Sequence, residues 1–309
     1  MIKNMKMDVL IDNINKSDLM FNLDLVLEGG CMNGAYEIGG LMFIKQMERR
    51  EFFKIERISG ASVGAYAGFL YLIDELDIYI EKYEDMREGF RETLALHTLK
   101  VQLETLMKNL SNEQFKSLQN DKLFITFFDI NQMTQIIKSK YTDKQDMIDT
   151  ILKSCHIPFL IDGNLFFKQG DKSYMDGGIP FIFNDIKKSE RKKILYMSLT
   201  NNKKLRGMLN VSREKTIHGR VLEGIIGTYN FFLTMLPTDM CSYVDEWSFK
   251  DKITHQLFFI TYKILVYSII FIYSIFKIIF PYIKDNDIFI SSKPMLKKIY
   301  KKILMYLVF

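Results

Sequence analysis

The chain has 309 residues, 48% of them hydrophobic, which is enough for one large domain or two small ones with a sizeable core and excludes disorder on a large scale. The net charge of +5 is modest and unevenly placed, because residues 250–309 hold ten lysines against three aspartates and leave the rest slightly acidic. Cys31, Cys155 and Cys241 are widely spaced and form no CxxC pair, which argues against a disulfide framework and a zinc site and suits a reducing, intracellular compartment. No unbroken apolar stretch follows Met1, so no secretory signal is expected.

Leu23 to Leu27 is an apolar run ending at Glu28-Gly29-Gly30, and the apolar spacing from Ala35 to Arg50 predicts a helix after it. Ile55 to Ser59 predicts the next strand, and Ser62 to Leu76 a second helix whose first turns carry Gly64, Ala65, Ala67 and Gly68 for close approach to a sheet. This βαβ pattern implies a parallel sheet, with Gly29-Gly30 and Ser62 together at the carboxyl ends of its strands. Residues 77–119 are charged and helical in pattern, an insertion placed to cover the site. Leu123 to Ile130 predicts a buried strand, and Thr142-Asp143-Lys144-Gln145 a capping box opening a helix that buries Met147, Ile148, Ile151, Leu152 and Cys155. Leu165 to Lys168 and Ser173 to Met175 flank Gln169-Gly170-Asp171 as a hairpin that ends at Asp176-Gly177-Gly178, and Ile194 to Leu199 predicts a further strand.

Gly60-Ala61-Ser62-Val63-Gly64, set between strand and helix, has the form of a nucleophile elbow, in which Gly60 and Gly64 tolerate a strained turn that lifts the Ser62 hydroxyl clear of the backbone. A serine nucleophile needs a base and donors for the developing oxyanion. Of the four histidines, His97, His156, His218 and His255, either His218 or His255 could complete a Ser-Asp-His triad with Ser62 and Asp176. Alternatively Asp176 accepts the proton directly. Asp162-Gly163 is a rival aspartate without the second glycine.

Glu28-Gly29-Gly30-Cys31-Met32-Asn33-Gly34-Ala35-Tyr36, Gly60 to Ala65, Ser154-Cys155-His156-Ile157-Pro158 and Asp176-Gly177-Gly178, in this order over about residues 21–200, resemble the patatin-like phospholipases. The resemblance implies a patatin-like three-layer α/β fold with a mainly parallel central sheet, and hydrolysis of acyl esters of phospholipids or other lipids. It further implies Ser62 as nucleophile, Asp176 as its dyad partner supported by Gly177 and Gly178, and an oxyanion hole in Gly29, Gly30, Cys31, Met32, Asn33 and Gly34. Neither metal, cofactor nor nucleic acid is expected. Family loops usually read Gly-Gly-Gly-x-Arg/Lys-Gly, so Cys31 replaces the third glycine and Asn33 the basic residue. If the loop requires φ > 0 at Cys31, the Cβ there brings strain, and Asn33 takes a positive charge out of the hole while offering an amide in its place. These departures keep open a catalytically impaired protein that only binds lipid or a partner.

Residues 1–20 then form a lead, 21–249 the hydrolase domain and 250–309 a membrane-associating tail. Leu257 to Ile283 is almost wholly apolar apart from Lys263 and Lys277 and predicts a single span if both lysines reach the interfaces. Met295, Leu296, Ile299, Tyr300, Ile303 and Leu304 alternate in pairs with Lys297, Lys298, Lys301 and Lys302, an amphipathic basic pattern suited to an anionic membrane surface.

Overall fold

The computed structural model describes residues 7–19, 22–93, 98–119, 121–184, 192–200 and 216–286, and beyond them 290–292, 294, 295, 298, 299 and 302. The chain divides into two units, Met1–Glu246 and Trp247–Phe309.

The first unit is an α/β fold on one sheet. Strand β1 (Asn22–Leu27), helix α2 (Gly34–Arg49), β2 (Lys54–Ala61) and α3 (Val63–Leu72) realise the predicted βαβ unit, after a short N-terminal helix α1 (Met7–Ile11). Helices α4 (Leu76–Thr93), α5 (Thr98–Asn109) and α6 (Asn112–Leu118) form the insertion, followed by β3 (Leu123–Asp129), β4 (Thr134–Lys138) and α7 (Lys144–Ser154). The hairpin β5 (Phe167–Gln169) and β6 (Lys172–Asp176), then β7 (Lys192–Met197), α8 (His218–Thr234) and β8 (Cys241–Tyr243) complete the unit. Strands β7, β1, β2 and β3 run parallel, while β4, β5, β6 and β8 add antiparallel pairs at the margins, so the centre of the sheet is parallel.

The run of buried residues from Leu23 to Leu27 reflects a strand covered on both faces. Gly68 of α3 lies over Ile58, Leu123 and Leu27, where a Cβ would stand 2.9 Å from Ile58 Cγ2, so the small residues foreseen in this helix do bring it close to the sheet. On the neighbouring strand register Phe124 instead packs on Phe181 and Phe183, with ring centroids 6.2 and 5.1 Å apart. The helix at 144–154 starts one residue later than the expected capping box: Asp143, not Thr142, is the N-cap and its carboxylate accepts from the Asp146 N–H. Aspartate is the stronger acceptor at a helix start.

One detail of register positions the site. The first half of β3 pairs with β2, ending at Ala61 opposite Thr126, whereas its second half pairs with β6, ending at Asp176 opposite Phe127. Strand β4 occupies the other side of β3 over Ile125–Asp129. Thus β2 and the oppositely directed β6 share one side of β3 and meet end to end between Thr126 and Phe127. The residue leaving β2, Ser62, and the last residue of β6, Asp176, must therefore converge.

The second unit is dominated by α9 (Phe249–Ile283), 35 residues long and opened by a capping box in which Ser248 and Asp251 satisfy each other's backbone N–H groups. It is long and apolar enough to cross a membrane, and Ile264, Leu265, Phe271 and Ile272 are exposed along it. Most of the expected basic amphipathic segment at 295–304 lies outside the described residues.

Candidate active site

Ser62 sits at the β2–α3 turn with φ 55° and ψ −128°, a conformation that a side chain strains to adopt. Its backbone is held from three directions: its N–H donates to Ser154 Oγ at 2.9 Å, and its carbonyl accepts from Cys155 Sγ at 3.1 Å and from the Ala65 N–H at 3.0 Å. Ser154 in turn donates to the Thr126 carbonyl at 2.6 Å. This explains the Ser154-Cys155 motif, which ties the end of α7 to the elbow and to β3. The flanking glycines are required by space, since a Cβ on Gly60 would stand 2.5 Å from the Gly64 carbonyl oxygen and one on Gly64 2.4 Å from that of Leu27.

Asp176 is fixed by its own N–H, which donates to the His156 carbonyl at 2.9 Å, and by the Gly178 N–H, which donates to Oδ1 at 2.7 Å. Gly178 adopts φ 65°, and Gln135 Nε2 donates to the carbonyls of Gly177 and Ile179 at 3.1 and 2.9 Å, which secures the turn after the aspartate. Burial pushes the Asp176 carboxyl up from its ordinary value to about 6, against the opposing pull of hydrogen bonds from the Ser62 hydroxyl and the Gly178 amide. The result is a carboxylate that is ionised at neutral pH and far more basic than an exposed one. Such a group can accept a proton from the hydroxyl beside it.

Gly29 packs against the pair: a Cβ there would stand 3.0 Å from Ser62 Cβ and 3.1 Å from the Gly178 carbonyl oxygen. The loop continues through Gly30 and a single 3-10 turn at Cys31–Asn33 into α2. The amides of Gly29, Gly30 and Cys31 donate to no protein group among the described residues, so they stand ready for an anion at the start of a helix. Cys31 does adopt positive φ, 48°, the strain that a glycine would avoid. Burial drives its thiol up to about 11, and Cys155 is raised well above its ordinary value for the same reason, so neither is an activated nucleophile. Beside Ser62 a cavity of about 60 Å³ is lined by Cys31, Tyr66, Tyr79, Met86, Leu99 and Ile161, among other apolar groups. Helices α4 and α5 of the insertion supply Tyr79, Met86 and Leu99, so the insertion forms one wall of this cavity.

His218 is exposed on the first turn of α8, and His255 belongs to the second unit, where its ring lies 5.3 Å from that of Trp247. His156 is buried, and burial lowers its imidazole below the ordinary value. His97 lies outside the described residues. Asp162, the rival aspartate, is exposed and caps its own loop through the Asn164 N–H.

Two further side chains hold the glycine loop in place. Glu28 is 3% exposed, and its carboxylate accepts from Tyr196 Oη, Ser198 Oγ, the N–H groups of Leu199 and Thr200, and Thr200 Oγ1, at 2.6–3.1 Å. A buried carboxyl group satisfied this fully locks the end of β7 to the start of the glycine loop. Arg220 is equally buried and donates to Asn33 Oδ1 at 3.0 Å, while Asn33 Nδ2 donates to the Leu199 carbonyl at 2.9 Å. Its one available signal is position, a lone cation in the stripe of α8 that buries Val221, Gly224, Ile225 and Thr228.

A comparison with curated protein sequences finds no match. Among solved structures, the crystal structure of VipD from Legionella pneumophila is similar at a TM-score of 0.38 and 11% identity, covering 70% of this chain and 67% of that one. The family model described as Patatin-like phospholipase matches residues 25–183, just over half of the sequence and the stretch that carries the glycine loop, the serine elbow and Asp176. The chain belongs to the patatin-like phospholipase family.

Proposed function

We propose that this protein cleaves carboxylic esters of membrane lipids with a Ser62–Asp176 dyad. The observation that carries this reading is the convergence of Ser62 and Asp176 where β2 and β6 meet, a strained serine elbow beside a carboxyl that burial raises to about 6. Ser62 Oγ attacks the ester carbonyl as Asp176 takes its proton. The oxyanion is stabilised by backbone N–H groups of the Gly29–Gly34 loop, and the first helical turn behind them adds a favourable dipole. Collapse expels the alcohol, which receives the proton from Asp176. Water, deprotonated by Asp176, then releases the acyl group from Ser62 as a fatty acid. The apolar cavity beside Ser62 suits the start of an acyl chain.

Helix α9 supports a membrane-associated protein, because a 35-residue helix with so much exposed apolar surface finds its natural cover in lipid. The free thiols of Cys31, Cys155 and Cys241 suit an intracellular setting. A second reading, lipid binding without turnover, draws on the positive φ at Cys31.

The test is release of labelled fatty acid from phosphatidylcholine and phosphatidylserine vesicles by the wild type, Ser62→Ala and Asp176→Asn. Release by the wild type alone supports the dyad. Wild-type release no greater than that of Ser62→Ala, with all three bound to the vesicles, selects binding without turnover.

A further inference from the structure

Helices α2 and α8 run side by side in the same direction. Successive contacts pair Asn33 with Arg220, Tyr36 with Gly224, Gly40 with Thr228 and Phe43 with Tyr229. The approach is backbone to backbone: a Cβ on Gly224 would stand 1.9 Å from the Tyr36 carbonyl oxygen, and one on Gly39 1.9 Å from that of Val221. This packing fixes the register and brings the starts of both helices to the same end as the Gly29–Gly34 loop. At that end stands Arg220, 3% exposed, with its guanidinium carbon 5.5 Å from the Tyr36 ring centroid and Nη1 bonded to Asn33 Oδ1.

This is a costly place for a cation. A buried charge gives up hydration, and the first turn of a helix repels positive charge. The field of Arg220 nevertheless reaches the loop, where it opposes the burial that raises the thiol of Cys31.

We propose that Arg220 is a positioning residue that supplies, through Asn33, the positive charge polarising the oxyanion loop. The proposal rests on the hydrolase reading above. Arg220 is outside the lining of the cavity beside Ser62, so it acts on the developing oxyanion and not on substrate binding. That charge reaches the loop from a helix almost two hundred residues later in the chain.

The test uses the full chain with vesicle substrate, comparing the wild type with Arg220→Gln, Arg220→Lys, Asn33→Ala and the double variant Arg220→Gln/Asn33→Ala. Glutamine keeps a donor for Asn33 and removes the charge. Arg220→Gln is expected to lower kcat by about 10- to 100-fold with KM within about twofold, somewhat less than loss of a direct oxyanion donor. Arg220→Lys recovers most of that loss, and the double variant is no worse than the poorer single one. The proposal is overturned if Arg220→Gln keeps wild-type kcat, if Arg220→Lys falls as far as Arg220→Gln, or if the two losses multiply. Should Arg220→Gln fail to fold, Asn33→Ala decides, with reduced kcat at unchanged KM expected and wild-type kcat refuting. An inactive wild type would instead refute the hydrolase reading, so the two failures are distinguishable.

Discussion

Replacing Ser62 by glycine should make the protein more stable than replacing it by alanine, although both changes abolish the nucleophile. Alanine removes the hydroxyl and keeps the Cβ at φ 55°, ψ −128°, whereas glycine removes both. A non-glycine residue in such a region costs roughly 1–3 kcal/mol. Glycine gives back about 0.5–1 kcal/mol through the greater freedom of the unfolded chain. The native anchors from Ser154, Cys155 and Ala65 use backbone atoms of residue 62 only and survive in both variants. Ser62→Gly should therefore exceed Ser62→Ala by about 1 kcal/mol, or ~2–4 °C in Tm for a unit of this size. Thermal unfolding of the full chain in detergent, followed by circular dichroism, reads the difference. A Ser62→Gly protein that melts at or below Ser62→Ala would show that no strain is stored at the elbow, and the argument from its backbone would fail.

Other consequences follow from the same geometry. Because burial raises the Asp176 carboxyl to about 6 and only its ionised form accepts a proton, kcat/KM should fall tenfold per unit below pH 6 and level off above about 7; a profile flat to pH 4.5 would refute Asp176 as the base. Gly177→Ala places a Cβ 2.0 Å from the Thr126 carbonyl oxygen and should cost about 3 kcal/mol or more in urea unfolding, whereas Gly170→Ala, at φ 59° in open space, should cost only about 1 kcal/mol; equal losses would contradict the end-to-end junction of β2 and β6. Phe271→Asp introduces a charge in the exposed apolar stretch of α9, and at about 3 kcal/mol of insertion cost it should reduce vesicle-bound protein roughly a hundredfold in flotation. Unchanged flotation would remove α9 as the membrane-binding element.

Much of this architecture was legible because it is written in local pattern. The apolar run at Leu23–Leu27, the helical spacing after Gly34 and the hairpin around Gly170 each declare an element within a dozen residues, and the ordered motifs pointed to Ser62 and Asp176 as a pair. The strand at Thr134–Lys138 was missed because its residues are mostly partly exposed and do not alternate cleanly, its identity resting on pairing with β3. What brings Ser62 and Asp176 together is likewise non-local, since it depends on β2 and β6 sharing one side of β3. Arg220 was invisible for the same reason: only the packing of Gly39 and Gly224 sets the register that aims it at Asn33. Cys31 shows the converse, a strain correctly anticipated from the residue that a glycine position had received.

The proposed hydrolysis requires Ser62 to be a nucleophile that Asp176 activates. Reaction of the full chain with a fluorophosphonate probe, followed by mass spectrometry of the labelled peptide, tests it most directly. A covalent adduct on Ser62, absent in Ser62→Ala and formed at least about a hundredfold more slowly in Asp176→Asn, is the predicted result. No adduct under conditions that label an active serine hydrolase, or one formed at the wild-type rate in Asp176→Asn, would contradict it.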